Sequence, residues 1–98
     1  MVQYLDMNFD WDKNKAKSNK SKHDITFLEA ITVFGDDRAL YLSDEIHSEY
    51  EKRFIVIGMS KDSNLLMVCH CYRENDTVIR IISARKADKT ESKLYGGA

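Results

Sequence analysis

Four arginines and one glutamate are the residues of this chain whose types and spacing best suit chemistry. Arg53, Arg73, Arg80 and Arg85 stand at the start or end of apolar, β-branched stretches, or inside one, as in "TVIRIISAR". A cation carried on a sheet is costly unless an anion pairs with it. The planar guanidinium fork grips phosphate through two parallel hydrogen bonds, so arginines converging on one face of an antiparallel meander point to phosphate recognition. Lys86 follows Arg85 where a last helix begins, and a helix start adds free backbone donors and a favourable dipole. Glu51 lies two residues before Arg53, hence on the same side of an extended chain. A carboxylate there, beside a bound phosphodiester, could accept the proton of a ribose 2′-hydroxyl. That is the chemistry of a metal-independent endoribonuclease. The competing reading pairs these arginines with Glu49, Glu51, Glu74 and Asp76 as ordinary ion pairs.

The remaining reactive side chains give weaker signals. "CHC" at 69–71 has the composition of a metal site. On a strand, however, Cys69 and Cys71 share one face while His70 points to the other. The three cannot jointly hold one ion without distorting the strand, and no second cysteine pair completes a site. The expectation is two small buried hydrophobes and no metal or other cofactor. His23, His47 and His70 each have the imidazole that suits a general base, but singly each reads as a packing or surface residue. No glycine-rich phosphate loop is present.

The elements that must position these groups follow from periodicity and turn chemistry. "DWDKNKAKSNKSKHD" reads as a first helix capped by Asp10 or Asp12, with a thin inner face of Asp12, Ala16, Asn19 and His23. "TFLE" at 26–29 is a capping box, and Phe27, Ala30, Ile31 and Phe34 continue a helix that Gly35 stops. These two helices form a hairpin. Four strands are expected, at 39–43, 53–60, 65–73 and 77–85. "KDSN" and "END" link the last three, so the sheet should be an antiparallel meander. Residues 44–52 read as an exposed polar loop, "ADKTESKLY" as a closing helix, and the tail "GGA" as loose. The expected fold class is therefore α+β: an N-terminal helical hairpin, a four-stranded antiparallel sheet and a C-terminal helix, in one domain spanning residues 1–98.

Composition is consistent with this and narrows the setting. An apolar fraction of 43% and 10% aromatics suit a packed core. No apolar run reaches the roughly 18 residues of a membrane span, and the N-terminus lacks the form of a secretory signal. Two cysteines offer no disulfide framework, which favours a cytoplasmic setting. The net charge of −1 is unevenly spread. Between residues 12 and 22 five lysines face a single aspartate, between 24 and 62 nine acids face four bases, and between 73 and 93 six bases face four acids. Either end of the chain could meet a polyanion, with Lys13, Lys17, Lys20 and Arg73 as candidate contacts.

"FDWDKNKAKSNKSKHDITFLEAITVFGD", then "EKRFIVIG", then "RIISARKADKTESKLY", in that order, resembles the BrnT family of bacterial toxins over about residues 9–95. The resemblance implies a RelE-like fold and an endoribonuclease that cleaves RNA and halts translation. Its RNA would be message, either free or on the ribosome. It also implies neutralisation by a BrnA-like antitoxin encoded beside it, with DNA met only indirectly through the antitoxin complex. Carried over residue by residue, the motif positions are Lys22 and His23, Glu51 and Arg53, Arg73, Arg80 and Arg85. In that scheme Glu51 or His23 is the general base, the arginines hold the phosphate, and Lys22 assists. Asn19, Trp11 and Phe34 are structural. The alternative is a non-catalytic homologue that serves only as antitoxin-binding partner in operon autoregulation.

Overall fold

The computed structural model describes residues 1–96. Its sheet has six strands: β1 (Val2–Tyr4), β2 (Met7–Asp10), β3 (Leu40–Ser43), β4 (Phe54–Met59), β5 (Leu65–Arg73) and β6 (Val78–Lys86), in the order β1-β2-β6-β5-β4-β3. Helix α1 (Lys13–His23) and the single turn α2 (Phe27–Ala30), continued as a 3₁₀ turn over Ile31–Gly35, follow β2. Helix α3 (Lys89–Tyr95) closes the chain. The four expected strands and the polar loop at 44–52 are present, with ends shifted by a residue or two.

Two features correct the four-stranded expectation. Residues 2–10, read only as a lead-in to α1, fold as a hairpin turned at Leu5, whose φ is 55°. Its second strand pairs with β6 in parallel, Asp10 opposite Arg80, so the sheet is mixed rather than wholly antiparallel. Phe9 supplies the driving force: it is fully buried and packs on Phe34 with ring centroids 5.2 Å apart. The second helix of the expected hairpin is shorter than its periodicity suggested. Thr26 caps α2 through the Glu29 amide, but the Glu29 carboxylate leaves the capping box and accepts from Ser60 Oγ and Asn64 Nδ2 of the β4–β5 turn. The 3₁₀ turn then lies close on β4. A Cβ at Gly58 would stand 3.1 Å from Val33 Cβ, which is why glycine occupies the "IG" of the motif.

Helix α1 starts at Asp12, whose carboxylate accepts from the Lys15 amide. It lies beside the stretch of β6 that β2 does not reach. There Asn19 acts as a substitute strand: its Nδ2 donates to Ala84 O at 2.8 Å, its Oδ1 accepts from Ala84 N at 3.0 Å, and Nδ2 also donates to Ile25 O at 3.0 Å. An exposed strand edge is satisfied by one buried amide.

A bulge in β6 decides which residues share a face. Cys69 pairs with Ser83 and His70 with Ile81, leaving Ile82 unmatched. Side chains alternate along a strand, so Arg80 and Arg85, five apart, belong on opposite faces of a regular one. The extra residue flips the alternation and brings both to one side, level with Cys71 and Met67. Ile81 and Ala84 thereby both turn into the core with Val56, Leu66 and Val68, under α2 and the 3₁₀ turn.

His70 is the one imidazole inside that core. It has no solvent exposure and is ringed by Phe34, Tyr41, Phe54 and Tyr72 at centroid distances of 5.0–6.5 Å. Burial pushes its pKa down to about 4. The folded chain therefore holds His70 neutral, while the unfolded chain protonates it below about 6.5. Between these values the unfolded state binds the additional proton, so stability rises with pH across that window. We expect full stability above pH 6.5 and a loss on the order of 3 kcal/mol by pH 4 from this residue. His70→Phe should flatten that part of a urea-midpoint profile; an unchanged slope contradicts this.

Candidate active site on the open sheet face

The sheet face away from α2 carries Arg80, Cys71, Cys69, Arg73 and Arg85, by the register of β5 and β6. Continuing the β4–β5 register by one residue sets Arg53 level with Cys71. Arg53, Cys71, Arg80 and Asp10 thus form one row across neighbouring strands. With strands roughly 4.8 Å apart, the two arginines of this row flank a space about 10 Å wide, within reach of one phosphate.

The loop from Asp44 to Arg53 folds onto this face. Its base is closed by Asp44 N donating to Arg53 O at 2.9 Å, and by Arg53 N donating to Ser48 Oγ at 3.0 Å. Asp44 turns inward, is buried, and meets Cys69 Sγ at 3.9 Å. Its carboxylate also takes His47 Nδ1 at 3.0 Å. With Nδ1 bound to the carboxylate, Nε2 is the nitrogen left to exchange a proton. Glu51 meets Arg73 Nη2 at 3.1 Å and Cys71 Sγ at 3.7 Å. His47, Glu51 and Arg53 line one pocket of about 320 Å³, and Glu51 also borders a second of about 470 Å³ with Phe54 and Tyr72.

Each arginine differs in what it has left to offer. Arg80 meets Asp10 at 3.4 Å with both side chains about a third exposed. Arg73 is bound to Glu51 at the surface. Arg53 Nε is buried without a hydrogen-bond acceptor among the described residues. Arg85 directs its two terminal nitrogens to Glu91 of α3 at 2.9 and 2.8 Å, in a bidentate pair. The start of α3, expected to offer donors, is closed by an Asp88–Glu91 capping box. Of the acids proposed from sequence as partners, only Glu51 is one among the described residues; Asp10 and Glu91 stand in place of Glu49, Glu74 and Asp76.

Lys22 and His23 lie elsewhere, at the end of α1 beside Ile82 and Ser83 of the bulge, and no hydrogen bond among the described residues joins them to Glu51. Lys17 and Lys20 line a groove on the outer side of α1 and α2. Lys13 and Lys86 are exposed. The thiols fit their reading as small buried side chains: burial pushes Cys69 up to about 11 and raises Cys71 as well, so neither is a thiolate nucleophile near neutrality. Among the described residues no three His, Cys, Asp or Glu side chains form a metal-binding group, and no helix is long and apolar enough to cross a membrane.

Sequence reasoning missed the Asp44–His47 pair. The i, i+3 spacing in "DEIH" was visible, but a polar loop gives no periodicity from which to infer that its carboxylate turns inward.

A small α+β domain with an arginine-bearing open sheet face overhung by an acidic loop is the class these features define. Residues 11–91 match the family described as the ribonuclease toxin BrnT of type II toxin-antitoxin systems, and the chain belongs to that family. Among solved structures it is similar to the Brucella abortus ribonuclease toxin BrnT, with a TM-score of 0.66 and 20% identity over 85% of this chain and 99% of that one. At that identity the likeness is one of fold. The shared architecture is thus that of BrnT, in place of the four-stranded RelE-like arrangement expected. No curated protein matches the chain.

Proposed function

We propose that the open sheet face is the active site of a metal-independent endoribonuclease that cuts message and so inhibits translation. The observation that carries this reading is the convergence of Arg53, Arg73 and Arg80 with Glu51 and the Asp44–His47 pair on one accessible face. Arg53 and Arg80 hold the scissile phosphate and the charge it gains in the transition state. Glu51, released from Arg73 as the phosphate engages that arginine, takes the 2′-hydroxyl proton. The 2′-oxygen attacks phosphorus, the bond to the 5′-oxygen breaks, and His47, oriented by Asp44, returns a proton to that oxygen. The products are a 2′,3′-cyclic phosphate and a 5′-hydroxyl. Phe54 and Tyr72, on the opposite sheet face with His70 but bordering one pocket with Glu51 at the end of the sheet, offer a stacking surface for a base that passes round that end. Arg85 fastens α3 and does not touch RNA, while Lys22 and His23, away from Glu51 beside the β6 bulge, take no part in proton transfer and only steer the RNA.

One observation favours a second reading, the non-catalytic partner protein: Arg73, Arg80 and Arg85 all have carboxylates already. Induced expression in a bacterial host separates the two. Growth arrest relieved by co-expression of the adjacent reading frame is the expected result. Normal growth at confirmed soluble expression favours the partner protein and overturns the nuclease.

A further inference from the structure

Helices α1 and α2 leave an apolar groove of about 440 Å³ on their outer side. Trp11, Ala16, Phe27 and Leu28 form its walls, with Trp11 and Phe27 in edge contact at 5.8 Å. Phe27 is anchored in the core, whereas Leu28 is 60% exposed on a turn that could carry any polar residue there. An exposed leucine beside a half-buried tryptophan is the composition of a protein-binding patch.

The rim sets the kind of partner. Lys17 and Lys20 line the groove, and Lys13 continues the same stripe of α1. Bordering acids are mostly committed elsewhere: Asp12 caps α1, and Glu29 reaches across to Ser60 and Asn64. Among the described residues Asp24 alone pairs at the rim, with Lys20, in an exposed contact. The stretch from residue 12 to 22 has five lysines against one acid. An RNA would match the lysines but not the apolar walls, and Arg53, Arg73 and Arg80 project from the opposite sheet face.

Resting on the toxin-antitoxin reading, we propose that this groove is the docking site of the antitoxin. It receives an amphipathic segment that seats apolar side chains at helical spacing between Trp11 and Leu28 and sets acidic residues against Lys17 and Lys20. Binding and RNA cleavage then use separate faces of the protein, and each can be removed without the other.

The test uses the full chain and the antitoxin encoded by the adjacent reading frame. Leu28→Glu, at an exposed position, should keep growth arrest but lose rescue, with affinity by titration calorimetry lowered 100-fold or more. Lys17→Glu should weaken the complex about tenfold and reduce its salt dependence. Wild-type affinity in folded Leu28→Glu overturns the proposal. So does loss of arrest in that variant, which would give the groove to RNA, or loss of wild-type self-association, which would give it to a second copy. Absence of arrest in the wild-type chain would count against the nuclease alone, because the calorimetric comparison still decides the groove.

Discussion

Arg80→Ala should lower RNA cleavage on the order of 10²–10³-fold, the loss typical when one preorganised donor to a developing oxyanion is removed. Stability should change little. The pair with Asp10 is long at 3.4 Å and about a third exposed, and such pairs contribute roughly 0–1 kcal/mol. For a domain of this size that is at most about 4–8 °C in thermal midpoint. Arg80→Lys separates charge from geometry: it keeps the cation and loses the fork, so partial activity is expected. Full activity in Arg80→Ala would remove this residue from the site. A collapse of the thermal midpoint would instead make Arg80 a structural residue held by Asp10.

Asn19→Ala should be the most destabilising single change at a polar position. Three hydrogen bonds of 2.8–3.0 Å disappear, and Ala84 N–H, Ala84 C=O and Ile25 C=O lose their shared partner in a buried setting. Each buried group left unpaired costs roughly 1–3 kcal/mol, with water recovering part, so a net loss of about 3–4 kcal/mol is reasonable. Against a total of about 5–15 kcal/mol for a domain of this length, the urea midpoint should fall by about a fifth at least, with an unchanged slope. A shift under about 1 kcal/mol would mean that α1 is not tied to β6 in the way described.

What could be read from the sequence was what local pattern decides. The four long strands, α1, the Thr26 cap, the closing helix and the opposed faces of Cys69 and His70 all rest on period or turn chemistry within a few residues. The first hairpin escaped because β1 and β2 are only three and four residues long. Their pairing is dictated by β6, some seventy positions away, and by the burial of Phe9. The bulge at Ile82 was equally hidden, although it places Arg80 and Arg85 on one face. Arg85 looked like a phosphate ligand because Glu91, its partner, lies in a helix whose docking no spacing reveals. Glu51 does reach Arg73, and Arg53 and Arg80 stand in one row with Cys71, since "EKR" enters β4 in register with the end of β5. The last two residues of the "GGA" tail lie outside the described region, while Gly96 caps α3.

The measurement that bears most directly on the central claim is RNA-end mapping after induced expression, comparing the wild-type chain with Arg80→Ala at matched soluble levels. New cleavage sites bearing 5′-hydroxyl ends are expected within minutes in the wild type and should be nearly absent in the variant. The same new ends at equal abundance in both would contradict the claim.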